Sequence, residues 1–223
     1  MAGSKQVKQL DAGMIITAFV LSAIIFGAGV FVGYVTNREK LSALETNIGD
    51  IVNDVENFQL QFLFFDVLGE NATCPLLGST LSSINKKSYE IGSRLESGVS
   101  DLSGDTNYVS TKLEYSRLLV SYWLLAEKLK KTCETKISTV IYFYSKDCSS
   151  CSDQAFVLNY MKNNYGSRLL VFALDADIGE PSVDTLKSYY KIITYPSLII
   201  NGVKHEGFVP QDELLSVLNT SIA

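Results

Sequence analysis

Two cysteines three positions apart, in Cys148-Ser149-Ser150-Cys151, carry the most specific chemistry in this 223-residue chain. They follow the apolar run Thr139 to Tyr144 and precede a stretch of helical periodicity that starts near Ser152. A Cys-x-x-Cys pair where a strand hands over to a helix puts its first sulfur at the helix N-terminus, where unpaired backbone N–H groups and the macrodipole favour a thiolate. The second sulfur then sits one turn deeper, within reach of the first. Such a pair opens and closes a disulfide, so the expected chemistry is thiol–disulfide exchange. The same spacing also serves half of a zinc site or a static disulfide, and the surrounding elements must discriminate.

Those elements form a regular series. Ile137 to Tyr144 predicts a buried strand, Gln154 to Tyr165 a helix and Arg168 to Leu174 a second apolar strand, which together make a parallel β-α-β unit. Pro181 to Tyr190 predicts a helix with proline in its first turn. Tyr195-Pro196 then leads into a strand that ends at Ile200, the turn Asn201-Gly202, a short strand Val203 to Phe208 and a last helix Gln211 to Leu218. With the order β-α-β-α-β-β-α, residues 136–223 resemble the thioredoxin superfamily, and Tyr195-Pro196 before a strand and an Asn-Gly hairpin is especially similar to a protein disulfide isomerase catalytic domain.

The resemblance implies an α/β thioredoxin fold and a thiol–disulfide oxidoreductase that needs no cofactor and no metal. It implies that Cys148 attacks a substrate disulfide and Cys151 resolves the mixed disulfide. It also implies that Pro196 is a cis-proline, with the Tyr195 backbone facing the sulfurs where a substrate strand would pair. The chain departs from the family in two linked places. Tyr142 stands where thioredoxin has a buried acid, and Ala173 where it has a partner lysine. The missing pair argues against a strongly reducing enzyme and leans toward disulfide formation or isomerisation, with reduction of outer-surface thiols as the alternative. Lys146 and Asp147 flank the motif with opposing effects on a thiolate. His205, the only histidine, falls on the hairpin as an ordinary edge-strand residue.

The other end of the chain bears on location. Residues 12–37 are 26 positions without a charge. At about 1.5 Å per residue they would make roughly 39 Å of helix, enough to cross a hydrocarbon core of about 30 Å. A cleaved signal peptide would have an apolar region of only about 7–15 residues, so the stretch reads as a single-pass signal anchor contacting membrane lipid. Two lysines precede it and two basic residues follow it, which leaves the positive-inside count tied. The charge after the span is acidic, eight basic against thirteen acidic residues over 41–135 and seven against nine over 136–223. That balance supports neither nucleic acid nor anionic lipid as a partner of those segments. All four cysteines lie beyond the span, which suits an oxidising compartment. The tail 1–11 is therefore expected in the cytoplasm and the rest outside it, at the cell membrane. Asn71 and Asn219 head candidate glycosylation sequons.

Residues 38–135 predict an all-α stalk. Leu41, Leu44, Ile48, Ile51, Val55, Phe58, Phe62 and Phe65 step by three and four, as in a coiled coil. Leu81, Ile84, Ile91 and Leu95 continue on a shorter helix, and about Asn107 to Lys131 a third, so an up-down-up bundle is expected. A homodimer zipped along the first helix, assisted by Gly29 and Gly33 in the span, is the alternative. In such a bundle Cys74 and Cys133 share the far end, where a bridge would be structural. A second redox pair and a zinc site of all four cysteines are the other readings. The expected partners are cysteine-containing proteins and a redox partner, membrane-bound or soluble. A function of another class, a non-catalytic chaperone or assembly module with Cys148–Cys151 as a static staple, stays open.

Overall fold

The computed structural model describes Ile16, residues 19–33, scattered positions between 53 and 95, and residues 106–133 and 135–222. The chain divides into two compact units, Met1–Leu44 and Glu45–Ala223. In the first, Ile16 and residues 19–33 are helical, with exposed apolar side chains such as Phe19 and Phe26. Among the described residues no helix is long and apolar enough to cross a membrane. The remaining residues of the expected span 12–37, and the seam from Leu41 to Phe65, lie outside the described residues.

The second unit is organised by a four-stranded sheet, ordered β2-β1-β3-β4. Strands β1 (Ser138–Tyr144) and β2 (Leu169–Asp175) run parallel, joined by helix α2 (Cys151–Tyr165) and a 3-10 turn, Gly166–Arg168. Strands β3 (Ser197–Ile200) and β4 (Val203–Glu206) add antiparallel, with Val140 opposite Ile200 and Ser197 opposite Glu206. Helix α3 (Pro181–Tyr190) links β2 to β3, and α4 (Gln211–Ile222) ends the chain. The predicted β-α-β-α-β-β-α order is thus observed, with shifts of up to a few residues at element ends. The hairpin is tight because Asn201 and Gly202 both take positive φ, 49° and 89°, the requirement of a two-residue turn whose twist matches the strands.

Alternation along β1 divides the interior in two. Ile141 and Phe143 belong to one cluster with Phe172, Leu174, Val183 and Ile199, whereas Val140 and Tyr142 belong to another with Leu158, Met161, Leu198 and Leu214. A central strand buried on both faces is continuously apolar, and its side-chain period of two feeds both layers.

The first layer extends across the domain boundary expected at 135/136. Helix α1 (Thr106–Cys133) was expected as the third helix of a separate stalk. Its stripe Leu118, Tyr122, Leu125 and Leu129 instead shares one core with the sheet, and the Tyr122 ring meets Phe172 edge-on at 5.0 Å. Arg117 reaches across to Glu180 at 3.1 Å, just before α3. Spacing by three and four specifies a buried face and not what covers it. Helical residues between 81 and 95 pack on α1 in turn. Leu81, Ile91 and Leu95 are buried, the Tyr122 hydroxyl donates to the Leu81 carbonyl at 3.0 Å, and the Tyr115 hydroxyl donates to Ser88 O at 3.0 Å.

Candidate active site around the Cys148–Cys151 disulfide

The loop after β1 carries the dithiol. Cys148 N–H donates to Ser145 O at 3.3 Å in a turn, and the α2 ladder begins with Gln154 N–H donating to Ser150 O at 3.1 Å. Cys151 is therefore the first helical residue, and Cys148 lies ahead of the helix, one turn earlier than a sulfur on the N-terminus itself. The Ser150 side chain makes no cap bond, which leaves first-turn N–H groups without that acceptor at the end where the sulfurs sit. The two sulfurs are bonded to each other. Cys151 is buried and Cys148 is more exposed, an asymmetry that suits attack through Cys148.

Register brings the second half of the site to the first. Phe143 pairs with Ser197, so the residues just before β3 lie beside the end of β1 from which the dithiol loop departs. The bond between those residues, Tyr195 and Pro196, is cis. Cys148 and Tyr195 pack against the same cluster that contains Cys151 and Val209. All four residues singled out for exchange and docking, Cys148, Cys151, Tyr195 and Pro196, thus come to one end of the sheet. Cys74 and Cys133, 59 positions apart, are bonded to each other. All four cysteines are therefore paired, and no group able to hold a metal ion occurs among the described residues. His205 Nδ1 lies 3.9 Å from a carboxylate oxygen of Glu213 on α4.

Beneath the disulfide, the Tyr142 hydroxyl donates to the Cys151 carbonyl at 2.6 Å. Burial pushes that hydroxyl up to about 12, so at neutral pH it is a donor and cannot take the Cys151 proton. Beside it opens a cavity of about 590 Å3, whose walls include Cys151, Tyr142, Tyr144, Lys112 and Asp175. Asp175 is buried at the end of β2 and ion-paired with Lys112 of α1. Its other oxygen accepts Asp177 N–H at 2.9 Å, and the Asp177 carboxylate accepts Ser145 Oγ at 2.8 Å and Lys146 N–H at 2.9 Å. Those hydrogen bonds, the Lys146 N–H first and the Ser145 hydroxyl next, hold the Asp177 carboxyl below its ordinary value. Lys146 therefore enters the site through its backbone, while its side chain and Asp147 are exposed. Lys112, Asp175 and Asp177 are invisible to motif reading because Lys112 and Asp175 meet across 63 positions of chain and Asp177 meets Lys146 across 31.

Over 82 residues the chain is 32% identical to Thioredoxin 2 of Plasmodium berghei (strain Anka). The match covers 35% of this chain and 51% of that protein, so the chain spans about half the length of the curated relative it matches. No family model matches the chain. Among solved structures it is similar to a malarial protein, with TM-score 0.35 and 20% identity, over 39% of this chain and 99% of that one. It is also similar to thioredoxin-2, described as a component of malaria parasite protein secretion machinery, with TM-score 0.34 and 21% identity over 38% and 82% of the two chains. Chloroplastic thioredoxin z aligns with TM-score 0.35 and 17% identity over 43% of this chain and 87% of its own. The C-terminal part itself is a mixed four-stranded sheet with flanking helices.

Proposed function

We propose that this chain is a thiol–disulfide oxidoreductase acting on protein cysteines, tethered to the cell membrane through residues 12–37, with its dithiol outside the cytoplasm. The observation that carries the redox reading is the Cys148–Cys151 disulfide at the start of α2, at the same end of the sheet as cis-Pro196. The similarity to Thioredoxin 2 supports the chemistry. The apolar stretch 12–37 and the two disulfides support the tether and the oxidising side.

In the reducing direction the Cys148 thiolate attacks one substrate sulfur, forming a mixed disulfide and releasing the other as a thiolate. Cys151 loses its proton and attacks Cys148, closing the protein disulfide and expelling the second substrate thiolate. Two electrons pass to the substrate, and the reverse sequence makes a substrate disulfide. Tyr142 offers no base, so the Cys151 proton leaves through the cavity toward Asp175. The absent family acid and an oxidising location favour disulfide formation or isomerisation over reduction. The test is turnover by the full chain in detergent: reduction of insulin, or refolding of a reduced and scrambled protein, is expected and Cys148→Ser is expected to abolish it. Equal activity in that variant would overturn the enzyme reading in favour of a static staple.

A further inference from the structure

The stripe that α2 buries reads Cys151, Gln154, Leu158, Met161. Gln154 is the exception in it, a primary amide with no exposed surface in a row of apolar side chains. Such a group costs stability unless its donor and acceptor are both used. Both are, and by a single residue: Gln154 Nε2 donates to Val209 O at 3.2 Å, and Val209 N–H donates to Gln154 Oε1 at 2.7 Å. The side chain thus behaves as a peptide group would in a ladder, clamping the segment before α4 onto the helix one turn beyond Cys151. Two residues earlier the same segment is held again, because Gly207 N–H donates to Pro196 O at 2.8 Å. Residues 207–209 are therefore strung between the dithiol helix and the cis-proline, with Phe208 exposed between the two anchors.

We propose that Gln154 is a positioning residue that sets the gap between the dithiol helix and the Tyr195–Pro196 segment, and that Phe208, held out by this clamp, selects protein substrates with an apolar side chain near the reacting cysteine. The proposal rests on the redox reading above. It separates two properties that a merely well-packed core amide would not separate. The sulfurs themselves make no bond to Gln154, so their intrinsic reactivity stays the same when it is replaced. The fit of a folded or extended protein chain beside Pro196 changes.

The experiment uses the full chain in detergent and compares wild type, Gln154→Leu and Phe208→Ala. Gln154→Leu keeps the side-chain volume and removes both bonds. It is expected to raise KM for a scrambled protein substrate about fivefold, the scale of a lost hydrogen bond, with kcat retained and an unchanged rate of Cys148 alkylation by iodoacetamide. Phe208→Ala, on the surface and safe for folding, is expected to raise the same KM about threefold, and the two changes are expected to be strongly non-additive because they disturb one segment. Parallel loss of kcat and alkylation rate, a lowered Tm with KM unchanged, or additive effects in the double variant would each overturn the proposal. If Gln154→Leu fails to fold, the KM of Phe208→Ala decides alone, and an unchanged value overturns it. A wild-type chain that turns over no protein substrate overturns the redox reading itself.

Discussion

Cys148 and Cys151 differ in burial, and the proposed exchange starts at Cys148, the less buried of the two. Removing the buried partner should therefore leave attack intact and stop resolution. Cys151→Ala is expected to accumulate mixed disulfides on Cys148, visible as new bands on non-reducing gels of membranes from expressing cells. If Cys148 stays free in that variant while the wild type turns over, the assignment is reversed. Proton handling gives a second residue-scale prediction. Asp175→Asn is expected to slow resolution about a hundredfold, the lower end of a general-base effect, as measured by stopped-flow decay of a preformed mixed disulfide. An unchanged decay would separate the Lys112–Asp175 pair from the chemistry. The residues of the motif were legible in the sequence because type and spacing alone define them. Gln154, Asp175 and Asp177 were not, since each acts through a partner brought close only by folding. One signal was available: a glutamine in the apolar row of α2 has to be bonded by something.

Element boundaries were legible wherever a local device fixes them. Helix α3 starts and ends as expected because Pro181 fits its first turn and the Glu180 side chain caps it by accepting from the N–H groups of Ser182 and Val183, while Lys191 closes it in a left-handed conformation with φ 54°. For α1, what could not be read was its neighbour, for the reason that a buried stripe fits sheet and helix alike. The cap makes a pH prediction. Burial by itself would raise the Glu180 carboxyl, but the hydrogen bonds from Ser182 Oγ, from the Val183 and Ser182 N–H groups and from Arg117 outweigh it and hold the group below its ordinary value. A depressed carboxyl stabilises the fold above its unfolded value of about 4.3, and that contribution is lost as pH falls through the lower folded value. Glu180→Gln is expected to cost about 1 kcal/mol at pH 7 and progressively less as pH falls from about 4 through the lower folded value, beneath which both proteins carry an uncharged side chain. Chemical denaturation at pH 7 and pH 3 checks this, and a constant difference at both would refute it.

At the scale of the molecule, the Cys74–Cys133 bond joins the helical layer to the end of α1, whose buried face is part of the core under the sheet. It is expected to resist reduction by glutathione while Cys148–Cys151 yields. Mass spectrometry after mild reduction and alkylation should find label on Cys148 and Cys151 alone, and equal labelling of all four cysteines would give the second pair a redox role instead.

The same bond closes 59 positions of chain into a covalent ring, and α1 lies within it. A protease that cuts once between Cys74 and α1 opens the ring without parting it. The sheet would stay attached to everything upstream of Cys74, the proposed tether included, through two sulfur atoms. Shedding of the dithiol domain into the medium by such a cut would thus need two keys, cleavage and reduction, and neither alone would turn the lock.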